Sequence, residues 1–217
     1  MTNKQTNLYN FKPLYLMLFY AVFYAAVTYI NGHYLVNSAM YYNSLGGQMS
    51  VEQIGTMLDF AHKWEWLSYT LCPFIIPLKA LIITACIYTA TALGRDRIAF
   101  VDIFKVVLVA ELIFLVADVI KIGWFLLHRA ETLQEMQYFY PLSLLFFFKP
   151  GSVPSWSIYA LQLVNLFEVA YWLALAFGLR ILLSRSFGHS FKLVSASYGL
   201  GLCLWLVALV FIQLQMS

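Results

Sequence analysis

Long apolar stretches interrupted by isolated charges constrain this chain more than any other feature. Of its 217 residues, 62% are hydrophobic and 11% charged. About 20 consecutive apolar residues suffice to cross a bilayer as a helix. Five stretches meet that length, at about residues 12–30, 67–93, 101–127, 158–183 and 191–214. Inside them sit Lys79, Glu111, Asp118, Lys121 and Glu168. An ionisable group in hydrocarbon is costly, so it faces the bundle interior and marks a partner or a function. Hydrocarbon also offers the backbone no hydrogen bonds, which leaves helices or a closed barrel. Alternation with period two is absent, so helices remain. The expected fold is an all-α integral membrane protein. It is a single polytopic domain, 1–217, built as a five-helix transmembrane bundle.

Lysine and arginine set the expected orientation, because they concentrate on the cytoplasmic side. With the N-terminus inside, the inner segments hold Lys4, Lys12, Arg95, Arg97, Lys105, Arg180, Arg185 and Lys192. The outer segments hold Lys63, Arg129 and Lys149, so the count is eight to three. The N-terminus is therefore expected in the cytoplasm and the C-terminus outside, in a bacterial inner membrane. The apolar run 14–30 is long for a signal peptide, and Asn31-Gly32-His33 is no small-residue cleavage site. It is expected to stay as the first span. Cys72, Cys86 and Cys203 fall within spans and form no disulfide framework.

The outer connections carry structure of their own. In the first, Ser50 and Gln53 form a capping-box pattern. Ile54, Met57, Leu58, Ala61 and Trp64 follow at helical spacing, which predicts an amphipathic interfacial helix. Trp64, Trp66 and Tyr69 suit the interface depth that aromatic rings favour. In the second, the apolar run 142–148 is too short to span, so it is expected in the interface or docked on the bundle. Residues 149–154 compose a turn.

Candidate chemistry centres on the charged cluster Lys79, Glu111, Asp118, Lys121 and Glu168. Glu111 and Asp118 are seven apart on one helix face, and Lys121 follows Asp118 by three. Measured from the outer ends, Lys79, Asp118 and Glu168 lie at depths of ~13–18 Å. A pairing of Lys79 with Asp118 or Glu168 is therefore expected. Two readings stay open: an ion, proton or polar-substrate path, or a buried pair that holds helices in register. Pro73 and Pro77 free backbone carbonyls beside Lys79. His33, His62 and His128 lie on the outer side without metal-ligand spacing, and His189 stands in an inner turn. No nucleophile elbow, metalloprotease helix or P-loop is present in the sequence. Neither catalytic residues, cofactors nor metals are expected. Ser195 with Gly199, and Ala170, Ala174 and Gly178, give small-residue spacings that let membrane helices approach closely.

The stretch from Leu161 through Asn165, Phe167, Glu168, Tyr171 and Trp172 to Gly178-Leu179 resembles the penultimate span of Yip1-domain membrane proteins. The polar hairpin from Ser184 to Lys192 is similar to that family's link to its last span. The resemblance covers the second half of the chain and implies a compact, bacterial-type member with five spans. The expected role is a non-enzymatic scaffold or accessory subunit acting through helix–helix or lipid contacts. The alternative is a small transporter or permease-like protein that uses the charged cluster. Expected partners are the lipid bilayer and another membrane protein or a second copy of the chain. The charge of +3 is too small and scattered for nucleic acid.

Overall fold

The structure is a computed structural model and describes residues 9, 11–94, 96, 98–149 and 152–216, without the side chains of Ser155 and Met216. Lys4, Arg95 and Arg97 of the charge count lie outside the described residues, as do Pro150 and Gly151 of the expected turn.

Helix α1 (Pro13–Ile30) starts with proline in its first turn, where the missing N–H costs nothing. It continues as a π-helical turn, Asn31–Leu35, and stops at extended Val36. Helix α2 (Ser38–Leu45) begins where Asn37 Oδ1 accepts the Met40 N–H at 3.0 Å. Helix α3 (Val51–Lys63) has the expected capping box. Gln53 N donates to Ser50 Oγ at 3.3 Å, and Ser50 N to Gln53 Oε1 at 2.9 Å. Helix α4 (Glu65–Leu93) runs unbroken through Pro73 and Pro77. Helix α5 spans Phe100–Leu127 and the short α6 spans Leu133–Tyr138. A 3-10 turn, Leu144–Phe147, precedes α7 (Ser155–Leu163) and α8 (Leu166–Leu183). Helix α9 (Phe187–Val194) passes through a second π turn, Ser195–Gly199, into α10 (Leu200–Met216). Among the described residues there is no strand, only an isolated bridge between Ser143 and Asn165.

Four segments are long and apolar enough to cross a membrane: Pro13–Leu35, Glu65–Leu93, Leu166–Leu183 and Phe187–Gln215. This fits a multi-pass membrane protein. Helix α5 matches them in length, but charges at Asp102, Lys105, Glu111, Asp118 and Lys121 are spread along it.

The expected uninterrupted fourth span, 158–183, is corrected. It breaks at Val164 and Asn165, which are extended or irregular, so only Leu166–Leu183 is a long apolar helix. Asn165 serves both helix ends. Its Nδ2 donates to the carbonyls of Gln162 (2.8 Å) and Leu163 (3.2 Å), and its Oδ1 accepts the Glu168 N–H at 2.7 Å. The strap 142–148 completes the break: Leu144 N donates to Val164 O at 2.9 Å, and Leu166 N to Leu142 O at 3.1 Å. The strap is thus docked on the bundle, one of its two expected places.

The core lies between α4, α5 and α8. Ile76, Ala80, Ile83 and Ile87 recur at helical spacing on α4. Ile103, Val107 and Ala110 face them from α5, and Tyr171, Leu175 and Leu179 from α8. Gly178 admits Val106 of α5 into its missing side-chain position. Gly199 does the same for the Trp172 ring, which would lie 2.6 Å from an added Cβ.

The connections fall into two linked groups. Asp96, between α4 and α5, meets Arg185 at 3.4 Å and His189 at 3.7 Å, both at the α8–α9 junction. At the other ends, Asn43 Nδ2 donates to Glu131 O at 3.1 Å, and Leu133 N donates to Ser44 Oγ at 2.8 Å.

Candidate functional site

Lys79 of α4, half-buried, converges with buried polar residues of α5, α8 and the second π turn. Lys79 Nζ lies 2.9 Å from Glu111 Oε2. The Tyr171 hydroxyl donates to Glu111 Oε1, also at 2.9 Å. Glu111 is 1% exposed, so both oxygens need these donors. The Lys79 ammonium also sits 4.1 Å from the Phe114 ring centroid and 5.5 Å from that of Tyr171.

Next to this pair is a second carboxylate. Glu168 Oε1 accepts from Tyr198 OH at 2.7 Å and Trp172 Nε1 at 2.9 Å. The rings join the two carboxylate sites: Tyr171 and Tyr198 meet edge-on at 5.4 Å, and Trp172 and Tyr198 at 5.8 Å. Glu168, Tyr171 and Trp172 share one face of α8 by their spacing of three and four.

Helix α1 supplies a third part. Tyr20 donates to the Leu108 carbonyl of α5, and Tyr24, one turn on, donates to Asp118 Oδ2 at 3.0 Å. Tyr140, at the start of the strap, lies near both Asp118 and Glu168. Burial, and then the charges of these two carboxylates, push its phenol up to about 12.

The expected pairing of Lys79 with Asp118 or Glu168 is therefore corrected: its ion pair is to Glu111. Helix α4 starts at Glu65 rather than 67, which puts Lys79 about 21 Å from that end. Glu111 is about 24 Å from the Leu127 end of α5, and Asp118 only about 14 Å. Asp118 is held by Tyr24 instead. Lys121 makes no ion pair with it among the described residues.

Sequence reasoning gave no role to Tyr20, Tyr24, Tyr171, Trp172 or Tyr198. The available signal was chemical: a phenol or indole in an apolar span needs a hydrogen-bond partner. The histidines are apart from this centre. His33 stacks on Tyr29 (4.3 Å), His128 on Trp124 (4.1 Å), and His62 lies 3.8 Å from Glu65. Among the described residues no three His, Cys, Asp or Glu side chains gather as a metal site would require.

No protein-family model, curated protein or solved structure matches this chain. Function must be argued from the site.

Proposed function

We propose that this chain is a five-span, non-enzymatic membrane protein, a scaffold or accessory subunit acting through helix–helix and lipid contacts. The observation that carries this reading is the Lys79/Glu111 pair, closed by Tyr171. A charge that is neutralised and hydrogen-bonded within the bundle serves to fix helices against each other.

Helix α5 is the fifth span. Its Phe100 end adjoins the group linked through Asp96, and its Leu127 end adjoins the group linked through Asn43 and Ser44. Its buried charges meet partners on α4, α8 and α1. Helix α3 lies in the outer interface. Ile54 is buried, but Met57 and Trp64 of its apolar side are exposed, as they would be against lipid. The N-terminus is inside, on the lysine and arginine count, in a bacterial inner membrane. The likeness to Yip1-domain proteins belongs to the same proposal.

One observation favours a second reading, a small permease. The broken α7–α8 segment places Asn165 and Glu168 together, as discontinuous helices do at transport sites. Thermal melts in detergent separate the two. Under the scaffold reading Lys79→Met destabilises sharply, and adding Glu111→Gln restores much of the loss. Under the permease reading the single variants melt like the parent and the double variant rescues nothing.

A further inference from the structure

The Leu127 end of α5 carries a cavity unrelated to the buried charges. It has a volume of about 290 Å³ and opens to the surface. Its walls are Trp124 and Phe125 of α5, Phe139 after α6, and Leu145 and Phe146 of the strap, and Arg129 also lines it. Trp124 stacks on Phe139 at 5.3 Å and 10°, and Phe125 meets Phe139 edge-on at 5.2 Å, so the aromatic wall is preformed. A dry apolar cavity of about 150 Å³ already holds a benzene ring, so this one has room for a length of alkyl chain.

Among the described residues, Arg129 is the one lysine or arginine that lines the cavity. Arg129 is exposed and has no ion pair among the described residues. The other charged lining group, Glu135, turns one oxygen onto the Glu131 N–H at 2.9 Å. His128 is stacked on Trp124, with its Nδ1 3.3 Å from the Trp124 carbonyl. A guanidinium fork matches a carboxylate or phosphate. Trp124 stands one turn from the end of α5, and an aromatic ring at the end of a membrane helix marks the depth at which the head of an amphiphile meets water.

We infer that this cavity binds one amphiphile, its anionic head on Arg129 and its alkyl chain against Trp124, Phe139 and Phe146. The head is a carboxylate or a phosphate, so the source is a free fatty acid or an anionic phospholipid. The inference rests on α5 crossing the membrane, and it adds a ligand class to the lipid contacts already proposed. Ligand and fold then meet at the strap, whose Leu142 and Leu144 hold the break before α8.

Native mass spectrometry of the whole protein in a neutral maltoside detergent tests this. Dodecanoate and dilauroyl phosphatidylglycerol are titrated separately, with dodecanol and dodecyltrimethylammonium as neutral and cationic controls. At least one anionic amphiphile should saturate at one per chain, and the arm that does so identifies the source. Affinity in the carboxylate series should rise from eight to twelve carbons, at up to about fourfold per methylene. Arg129→Gln should weaken binding about tenfold, and Phe146→Ala several-fold, with melting temperatures unchanged because both side chains are exposed. The inference is overturned if neither anion saturates, if dodecanol binds as well as dodecanoate, or if Arg129→Gln binds like the parent. Any of these results leaves the scaffold reading standing, since the Lys79 and Glu111 melts test that separately.

Discussion

Lys79 and Glu111 are an unequal pair, and the inequality has a measurable consequence. Glu111 is 1% exposed and Lys79 39%. If Lys79 is removed, a carboxylate stays buried with Tyr171 as its sole remaining hydrogen-bond donor among the described residues. If Glu111 is removed, the lysine stem can swing its ammonium outward. Lys79→Met should therefore cost about 3 kcal/mol, toward the cost of stranding a buried charge. Glu111→Gln should cost less, about 1–2 kcal/mol. Thermal or chemical denaturation in detergent measures both, and equal losses would contradict the asymmetry. Tyr171→Phe removes one donor to a charged acceptor. Membrane hydrogen bonds average below their soluble counterparts, so about 1 kcal/mol is expected. The pair was half legible in the sequence. Both charges stood out in apolar stretches, but matching them required helix ends to within two residues, which sequence boundaries do not give.

At the scale of elements, local signals and tertiary ones parted company. The start of α3 was legible because a capping box is local, and Ser50 and Gln53 form it as spaced. The break before α8 was not legible. Val164 and Asn165 have no proline or glycine near them, from Trp156 to Phe177, and the backbone partners that stabilise the break come from Leu144 and Leu142, 20 and 24 residues from the groups they bond. Conversely, Pro73 and Pro77 look like breakers, yet α4 continues through both. Asn165 is the side chain on which the break depends. Asn165→Ala should lower stability by about 2 kcal/mol, losing the cap acceptor and the amide donor to two carbonyls together. Asn165→Ser keeps a capping acceptor without burying a charge and should fall between. Melts ranking the serine variant below the alanine variant would contradict this role. Close helix approach gives a further test. An added side chain at Gly178 would run into Val106, so Gly178→Ile should destabilise by about 1–3 kcal/mol, whereas Gly123→Ala, with open space, should be nearly neutral.

Across the whole molecule, the connections between long helices gather into two groups. The Asp96 contacts bind the α4–α5 link to the α8–α9 link, and the Asn43 and Ser44 contacts bind the α1–α4 segment to the α5–α7 segment. Membership of the two groups alternates along the chain, as it must if every long helix crosses. Of the eight basic residues counted as inner, Arg185 lies in the α8–α9 link and pairs with Asp96 of that group. In the proposed orientation, which follows the positive-inside rule, that group faces the cytoplasm. A membrane-impermeant maleimide on intact cells checks the assignment. The native Cys72, Cys86 and Cys203 are first changed to alanine, because Cys203 is exposed. A cysteine at Gln134, exposed on α6, should then label from outside. A cysteine at Gly188, where an added Cβ meets open space, should label only after the membrane is permeabilised. The reverse pattern would invert the protein. Labelling of both from outside would mean that α8, the long helix between them, does not cross, and α8 would lose its place as a span.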